Sequence, residues 1–406
     1  TNQSNALILN CTIVSNNNNS SDYNYLSYAQ QGNTDFTNCI IRDNQNHEIS
    51  GTHNISYSNM SGNGNSGTNI DVNPLFCNPE SRNYYLSDSS PCIGAGQNGD
   101  NIGAYGAGCT SEIYTGPVWY VSTSGSNSFS GSEAYPFRSI SHAIDIVDGG
   151  DTILVSPGVY YTNFSIFKNI HIKSTDGAEN TIIDGSSYDG SAIRIYDFWI
   201  SNNSNNVSID GFTFRNCIDE QNTGGAIQNG TYNQEGYDKV KLKNLIFENN
   251  SPHDIYWRGP GQYSIDNIIS RGKLRLEYND IGINNSLIND LRTNYYTGQM
   301  NKCTILGSLE LYNATGSIKN SILMNFIALG YMELIEYSCL PLGPNTNIHN
   351  GAFERNNIYL DPLFCDFENR DYSLYQNSPC LGAGQDGSNI GAYGIGCETL
   401  ESISDR

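Results

Sequence analysis

Basic side chains are the scarcest chemistry in this sequence, with 20 Lys and Arg against 41 Asp and Glu, and they cluster. The densest group is Arg271, Lys273 and Arg275, followed by Glu277 and Asp280, with His253, Asp254, Trp257 and Arg258 a little upstream. A Lys or Arg placed beside carboxylates can take up a proton, or hold a carboxylate or sugar hydroxyl through charge-assisted hydrogen bonds. Read as a strand, residues 271–277 put Arg271, Lys273, Arg275 and Glu277 on one face, with Leu274 and Leu276 on the other. The alternation predicts an outward patch in which Arg, Lys, Trp and Tyr form a sugar- or carboxylate-binding surface. The competing reading of the same residues is a solvated face carrying cross-coil ion pairs. Lys273, Arg271 and Arg275 are the catalytic candidates if the chain is an enzyme. Trp257, Arg258 and Arg275 are the contacts if it binds a glycan. Asp219-Glu220 with Asn222, and Tyr295-Tyr296, are secondary candidates that also read as ordinary loop residues.

Cysteine is the other reactive side chain. Eleven Cys beside four Met favour an oxidising compartment, and an odd number leaves at least one thiol unpaired. Cys11, Cys39, Cys217 and Cys303 each follow a turn residue at an inward-facing position, so they read as small hydrophobes of a core ladder. No CxxC, HExxH or EF-hand spacing occurs, so no metal centre or cofactor is expected. Structural Ca²⁺ on acidic loops is the one ion the composition allows. A net charge of −21 argues against a nucleic-acid partner and against docking on anionic membrane. No apolar run reaches the length of a bilayer span.

The elements that must position these residues follow from repetition. Residues 73–109 align without a gap on residues 361–397, at a constant offset of 288 and with 24 of 37 positions identical. Cys77, Cys92 and Cys109 fall on Cys365, Cys380 and Cys397. Agreement of this kind is duplication. The expected organisation is the closing part of one module over 1–110, a linker over 111–117, a complete module over 118–398, and a tail over 399–406.

A shorter phrase recurs inside the modules, a small or polar residue followed by alternating apolar ones. It appears at 244–247 (NLIF), 285–288 (NSLI), 302–305 (KCTI), 320–323 (NSIL), 10–13 (NCTI) and 38–41 (NCII). Such short runs between Asn, Gly and Ser read as strands, and their repetition near 20 residues reads as a solenoid. About one residue in seven is Asn, well above average usage. A stack of coils needs the same sharp turn at the same place, and Asn accepts the left-handed conformation that such turns require. Residues 118–122 (VWYVS) then read as a first strand. Residues 139–147 read as an amphipathic helix, N-capped by Ser139 and stopped at Gly149-Gly150, that covers the open end of the stack. The first module lacks such a cap, so its first coil is expected to present a bare edge to a preceding module.

The run WYVSTSGSNSFSGSEAYPFRSISHAI with GDTILVSPGVY, and the closing NPLFC…SPCIGAG…IGAYGAGC, resemble secreted bacterial right-handed parallel β-helix proteins of the pectate-lyase-like kind. The resemblance covers nearly the whole chain. It implies an all-β fold, a right-handed parallel β-helix (β-solenoid) in tandem modules with one short capping helix near 139–147. It implies disulfides in the closing segments, Cys77–Cys92 or Cys92–Cys109, with the same choice among Cys365, Cys380 and Cys397. For activity it implies less, because one fold hosts many functions. Of the β-helix polygalacturonase motifs only Asn33-Thr34-Asp35 has a match here, and β-helix lyases pair a Lys or Arg base with carboxylate-bound calcium. The expectation is a non-enzymatic extracellular or cell-surface module of a larger adhesive or filament-forming protein, contacting adjacent modules head to tail. A polysaccharide lyase or a glycan-binding β-helix is the alternative.

Overall fold

The computed structural model describes residues 5–14, 25–44, 48–61, 67–79, 82–109, 115–196, 206–219, 224–229, 238–259, 261–277, 280–329, 334–340, 347–349 and 353–400. Most of the expected linker, 111–114, and of the tail, 401–406, lie outside them. Contacts divide the chain into two compact units. One comprises 1–115 with 124–138, the other 116–123 with 139–406.

In the second unit, eleven strands from Val118–Val121 to Phe353–Arg355 form one parallel sheet, each paired with the strand one coil away. A second, forked sheet of 13 strands forms the rest of the wall. One branch runs through Gly158–Tyr160, Thr181–Asp184, Thr213–Arg215 and Ile246–Glu248. The other runs through Phe164–Ile166, Ile193–Ile195, Gly225–Asn229 and His253–Arg258. Both end on the single long strand Ile269–Glu277, and the next three coils keep that fused form in Leu287–Asn294, Thr304–Tyr312 and Ile322–Leu329. This is a right-handed parallel β-helix, the hand that twisted parallel strands impose on their crossovers. Coil length is uneven. Lys173 pairs with Asp210, 37 residues on, whereas Asp266 pairs with Asn284, 18 residues on.

Turn chemistry fixes the coils. Asn216, Asn244, Asn267, Asn285 and Asn320 all have φ between 49° and 55°, each just ahead of an inward-facing run. Their amides also bond along the stack. Asn267 Nδ2 donates to Asn244 Oδ1 at 2.7 Å, and Asn244 Nδ2 to Asp210 Oδ1 at 2.6 Å. Each amide donor in this stack finds an acceptor one coil away. Inside, Ile255, Leu274, Leu291 and Leu309 stack from coil to coil, as do Phe214 and Phe247, whose rings lie 5.4 Å apart. Cys39, Cys217 and Cys303 are fully buried in this ladder, while Cys11 is half-buried. The capping helix is Ile140–Ile146, with Ser139 Oγ accepting from His142 N and with Ile140, Ala143 and Ile144 buried. Val147 stays buried but has left the helix, with ψ at 150°.

The first unit repeats the plan on fewer coils. Ala6–Leu9, Tyr25–Thr37 and Glu48–Ser56 form one parallel sheet, and Thr12–Val14, Ile40–Arg42 and Asn59–Met60 another.

Each unit closes with a small three-stranded sheet, and here the expected disulfides are corrected. The bonds are Cys77–Cys109 and Cys365–Cys397, each with Cα atoms 5.9 Å apart. Cys92 and Cys380 take no part, because the SPC turn carries them inward into the apolar cluster beneath the cap, with no exposed surface. Cys77 and Cys109 instead lie on the outer strands Phe76–Asn78 and Ala107–Cys109, on either side of Asn83–Ser87.

Candidate functional site

The basic cluster sits at the fork of the second sheet. Ile269 and Ser270 pair with Ile246 and Phe247 of one branch, and residues 274–277 pair with Ile255–Arg258 of the other. The strand therefore bends between Ser270 and Lys273, where its register with the next coil also shifts. Asp254 braces that bend. It is fully buried and accepts from Ser270 Oγ at 2.6 Å, Gly272 N at 2.8 Å and Asn250 Nδ2 at 3.0 Å. Burial pushes its carboxyl above the usual range, against the pull of those three donors. Asp290 repeats the device two coils later, accepting from Ser308 N at 2.7 Å and Ser308 Oγ at 2.9 Å.

Arg271 and Lys273 are exposed, and Arg275 and Glu277 half-buried, on the outer face, with Leu274 and Leu276 inside, as the alternation requires. The guanidinium groups are not free. Arg271 pairs with Glu248 at 2.6 Å, Arg275 with Glu277 at 2.7 Å, and Arg258 with the same Glu277 at 3.6 Å. Lys273 has no ion-pair partner within 4.0 Å among the described residues. His253 lies beside this cluster. Burial, helped by the neighbouring Arg275 and Lys273 charges, holds its imidazole below the ordinary value against a hydrogen bond to the Gly224 backbone.

Trp257 is the second correction. It is only 3% exposed and packs inside the coil against Tyr263, with ring centroids 4.7 Å apart, so it cannot meet a glycan from outside. Strand alternation sends Ile255 and Trp257 inward and Tyr256 outward. Tyr256 is the outer aromatic, with the Arg275 guanidinium 5.4 Å from its ring centroid. Arg292 and Tyr312 repeat the arrangement on later coils, at 5.1 Å. Counting by twos from Ile255 would have found Tyr256 in the sequence.

The remaining candidates do not converge on this face. Asp219 is buried, while Glu220 and Asn222 lie outside the described residues. Tyr296 is buried in the core and Tyr295 exposed at a turn with φ at 57°. Asp280 is exposed at the first position of the next coil's strand, Asp280–Asn284. In the first unit Asp35 accepts from Asn33 and Asn54 side chains, one more rung of an amide ladder. Among the described residues no three His, Cys, Asp or Glu side chains come together to hold a metal ion, and no helix is long and apolar enough to cross a membrane. An apolar cavity lined by Val240, Leu242, Ile255, Trp257, Tyr263 and Leu276 lies within the coil and brings no reactive pair together.

Chemically, the face offers one ammonium without an ion pair, a cation-covered phenol ring and three guanidinium groups that share two carboxylates. That is suited to weak surface recognition of an anionic or hydroxylated ligand.

Residues 123–175 match a family model described as "Protein of unknown function (DUF1565)". The crystal structure of pectate lyase Pel9A is similar at 14% identity and a TM-score of 0.37, covering 70% of this chain and 98% of that one. A rhamnogalacturonan lyase is similar at 12% identity and a TM-score of 0.29, covering 63% of this chain and 92% of that one. No curated protein matches the chain.

Proposed function

We propose that this chain is a structural, non-catalytic part of an extracellular array of β-helix modules, which contact neighbouring modules head to tail. The observation that carries the reading is the duplicated closure. In the first unit Asn38 Oδ1 accepts from Gln97 N at 2.7 Å, and Thr12 Oγ1 from Ala104 N at 2.9 Å. In the second, Asn320 Oδ1 accepts from Gln385 N at 2.7 Å, and Thr304 Oγ1 from Ala392 N at 3.0 Å. Thr12 and its strand partner Ile40 are 28 residues apart, whereas Thr304 and Ile322 are 18 apart. The same cap thus seats on coils of different length, as parts of a modular assembly must. Two disulfides are compatible with an oxidising, extracellular setting. The test is an assay on acidic polysaccharides with and without Ca²⁺, reading unsaturated product. The expected result is no product in either condition. Product that disappears in Lys273→Ala would establish a lyase instead.

A second reading, glycan binding without cleavage, is favoured by Tyr256 beneath Arg275 next to the unpaired Lys273. Titration with acidic oligosaccharides tests it. Binding that weakens in both Tyr256→Ala and Lys273→Ala supports it, and binding untouched by either removes it.

A further inference from the structure

We infer that Cys339 and Cys380 form a third disulfide, which ties the closing cap of the second unit covalently to the last coils beneath it. This inference is independent of the function proposed above. Both side chains are fully buried in one cluster with Ile322, Leu374 and Ile390. The Cys339 thiol donates to Leu360 O at 3.2 Å, and each of the two thiols perturbs the titration of the other, as near neighbours do. Cys339 sits on the coil, its N–H bonded to Ser321 O at 2.9 Å, and Cys380 sits in the cap.

The first unit shows that this contact is a designated position. There Asn59 N bonds Cys39 O at 2.8 Å, and Asn59 bridges to Ile70 as Cys339 bridges to Ile358. Asn59 pairs with Ile40 as Cys339 pairs with Ile322. Asn59 therefore occupies the place of Cys339, and its Nδ2 lies 3.2 Å from Cys92 Sγ, the counterpart of Cys380. One unit fills the site with an amide–thiol contact, the other with two thiols. Two Cys that share one buried cluster, at positions where the first unit brings an amide and a thiol within 3.2 Å, are placed for bonding after small side-chain rotations.

The chemistry needs an oxidant, and a low-molecular-weight disulfide such as glutathione disulfide supplies it. One protein thiolate attacks a sulfur of the oxidant, giving a mixed disulfide and releasing one glutathione thiolate. The second protein thiolate then displaces the other. Two protein thiols lose two protons and two electrons, and one glutathione disulfide becomes two thiols. Because both sulfurs are without exposed surface once the cap is seated, the exchange belongs to folding, before closure.

The test is peptide mapping of the full chain refolded with a glutathione redox couple, alkylated in denaturant and digested without reduction. The expected products are the Cys339–Cys380 linked peptide beside Cys365–Cys397, with Cys92, Cys217 and Cys303 alkylated. Reduction should split the linked peptide into two alkylatable halves. Cys339→Asn copies the first unit's contact and so keeps a polar partner for Cys380. In that variant Cys380 should appear fully alkylated while Cys365–Cys397 remains. Molecules that hold Cys365–Cys397 while both Cys339 and Cys380 are alkylated would overturn the inference, as would either Cys linked to any other residue.

Discussion

Asn320 is where the cap, the turn and the amide ladder meet, so replacing it tests all three. It has φ at 49° and is 6% exposed. Its Oδ1 accepts from Gln385 N at 2.7 Å, its Nδ2 donates to Asn301 Oδ1 at 2.9 Å, and its carbonyl accepts from Gly391 N at 2.7 Å. Asn320→Ala strands the Gln385 N–H, at about 1–2 kcal/mol. It also puts a less tolerant residue in the left-handed region, at about 1 kcal/mol. The total is about 2–3 kcal/mol. As a local opening equilibrium that is roughly a 30- to 150-fold increase. Asn320→Gly keeps the backbone conformation and loses only the amide, so it should cost about 1–2 kcal/mol, or roughly 5- to 30-fold. Hydrogen exchange of peptides over 378–397 is the assay, with 152–184 in the same molecule as the internal reference. The faster exchange should be confined to the cap. Asn38→Ala should act likewise on residues 92–109. Exchange within about threefold of wild type in Asn320→Ala, on a 1.4 kcal/mol per decade scale, would refute the reasoning, as would an equal rise over 152–184.

The two faces of one strand should respond oppositely. Trp257→Ala should cost about 3–5 kcal/mol in urea denaturation followed by circular dichroism, and Tyr256→Ala under about 1 kcal/mol. At Asp184, burial pushes the carboxyl up, but hydrogen bonds from Ser186, Arg215 and Asn216 outweigh it and bring the pKa down to about 2. A depressed value means stability that is present above the unfolded pKa and lost as pH falls through the folded one. Asp184→Asn should therefore remove on the order of 2 kcal/mol at pH 7, and the gap to wild type should close between about pH 4 and pH 2 in parallel urea titrations. Ser270→Ala removes a 2.6 Å donor to the Asp254 carboxylate, at about 1.5–3 kcal/mol where that carboxyl is ionised. The Ser270 bond pulls the Asp254 pKa down against burial, so the loss should be larger at high pH and shrink on acidification, as differential melting at two pH values would show.

The solenoid is legible in the sequence because its least tolerant backbone positions carry a residue-type signal. Asn244, Asn267 and Asn285 mark left-handed turns one coil apart, and Asn320 marks the same turn two coils further on, after Lys302. Other left-handed positions carry none. Leu75 and Leu363 have φ at 53° and 54° because Asn73 and Asp361, two residues earlier, accept their N–H groups. The fork at Ile269–Glu277 is hidden for a different reason. Whether two short strands fuse depends on how far the corner between them projects, and a buried carboxylate from the preceding coil decides that. Disulfide partners were illegible because the SPC turn decides which way each sulfur faces. The basic cluster could be found by composition, but the pairing of Arg271 with Glu248 and of Arg258 with Glu277 depends on which residues register one coil away.

Uneven coil length has a mechanical consequence. Each coil advances the stack by one strand spacing, about 4.8 Å, however many residues it contains. The turn from Lys173 to Asp210 therefore uses twice the polypeptide per unit of height that the turn from Asp266 to Asn284 does. Height is set by the count of turns, and girth by the residues each turn spends. An insertion at a corner widens the column locally and leaves every level above and below it in place. Lateral surface can thus diversify while the spacing between the two ends of the stack stays constant.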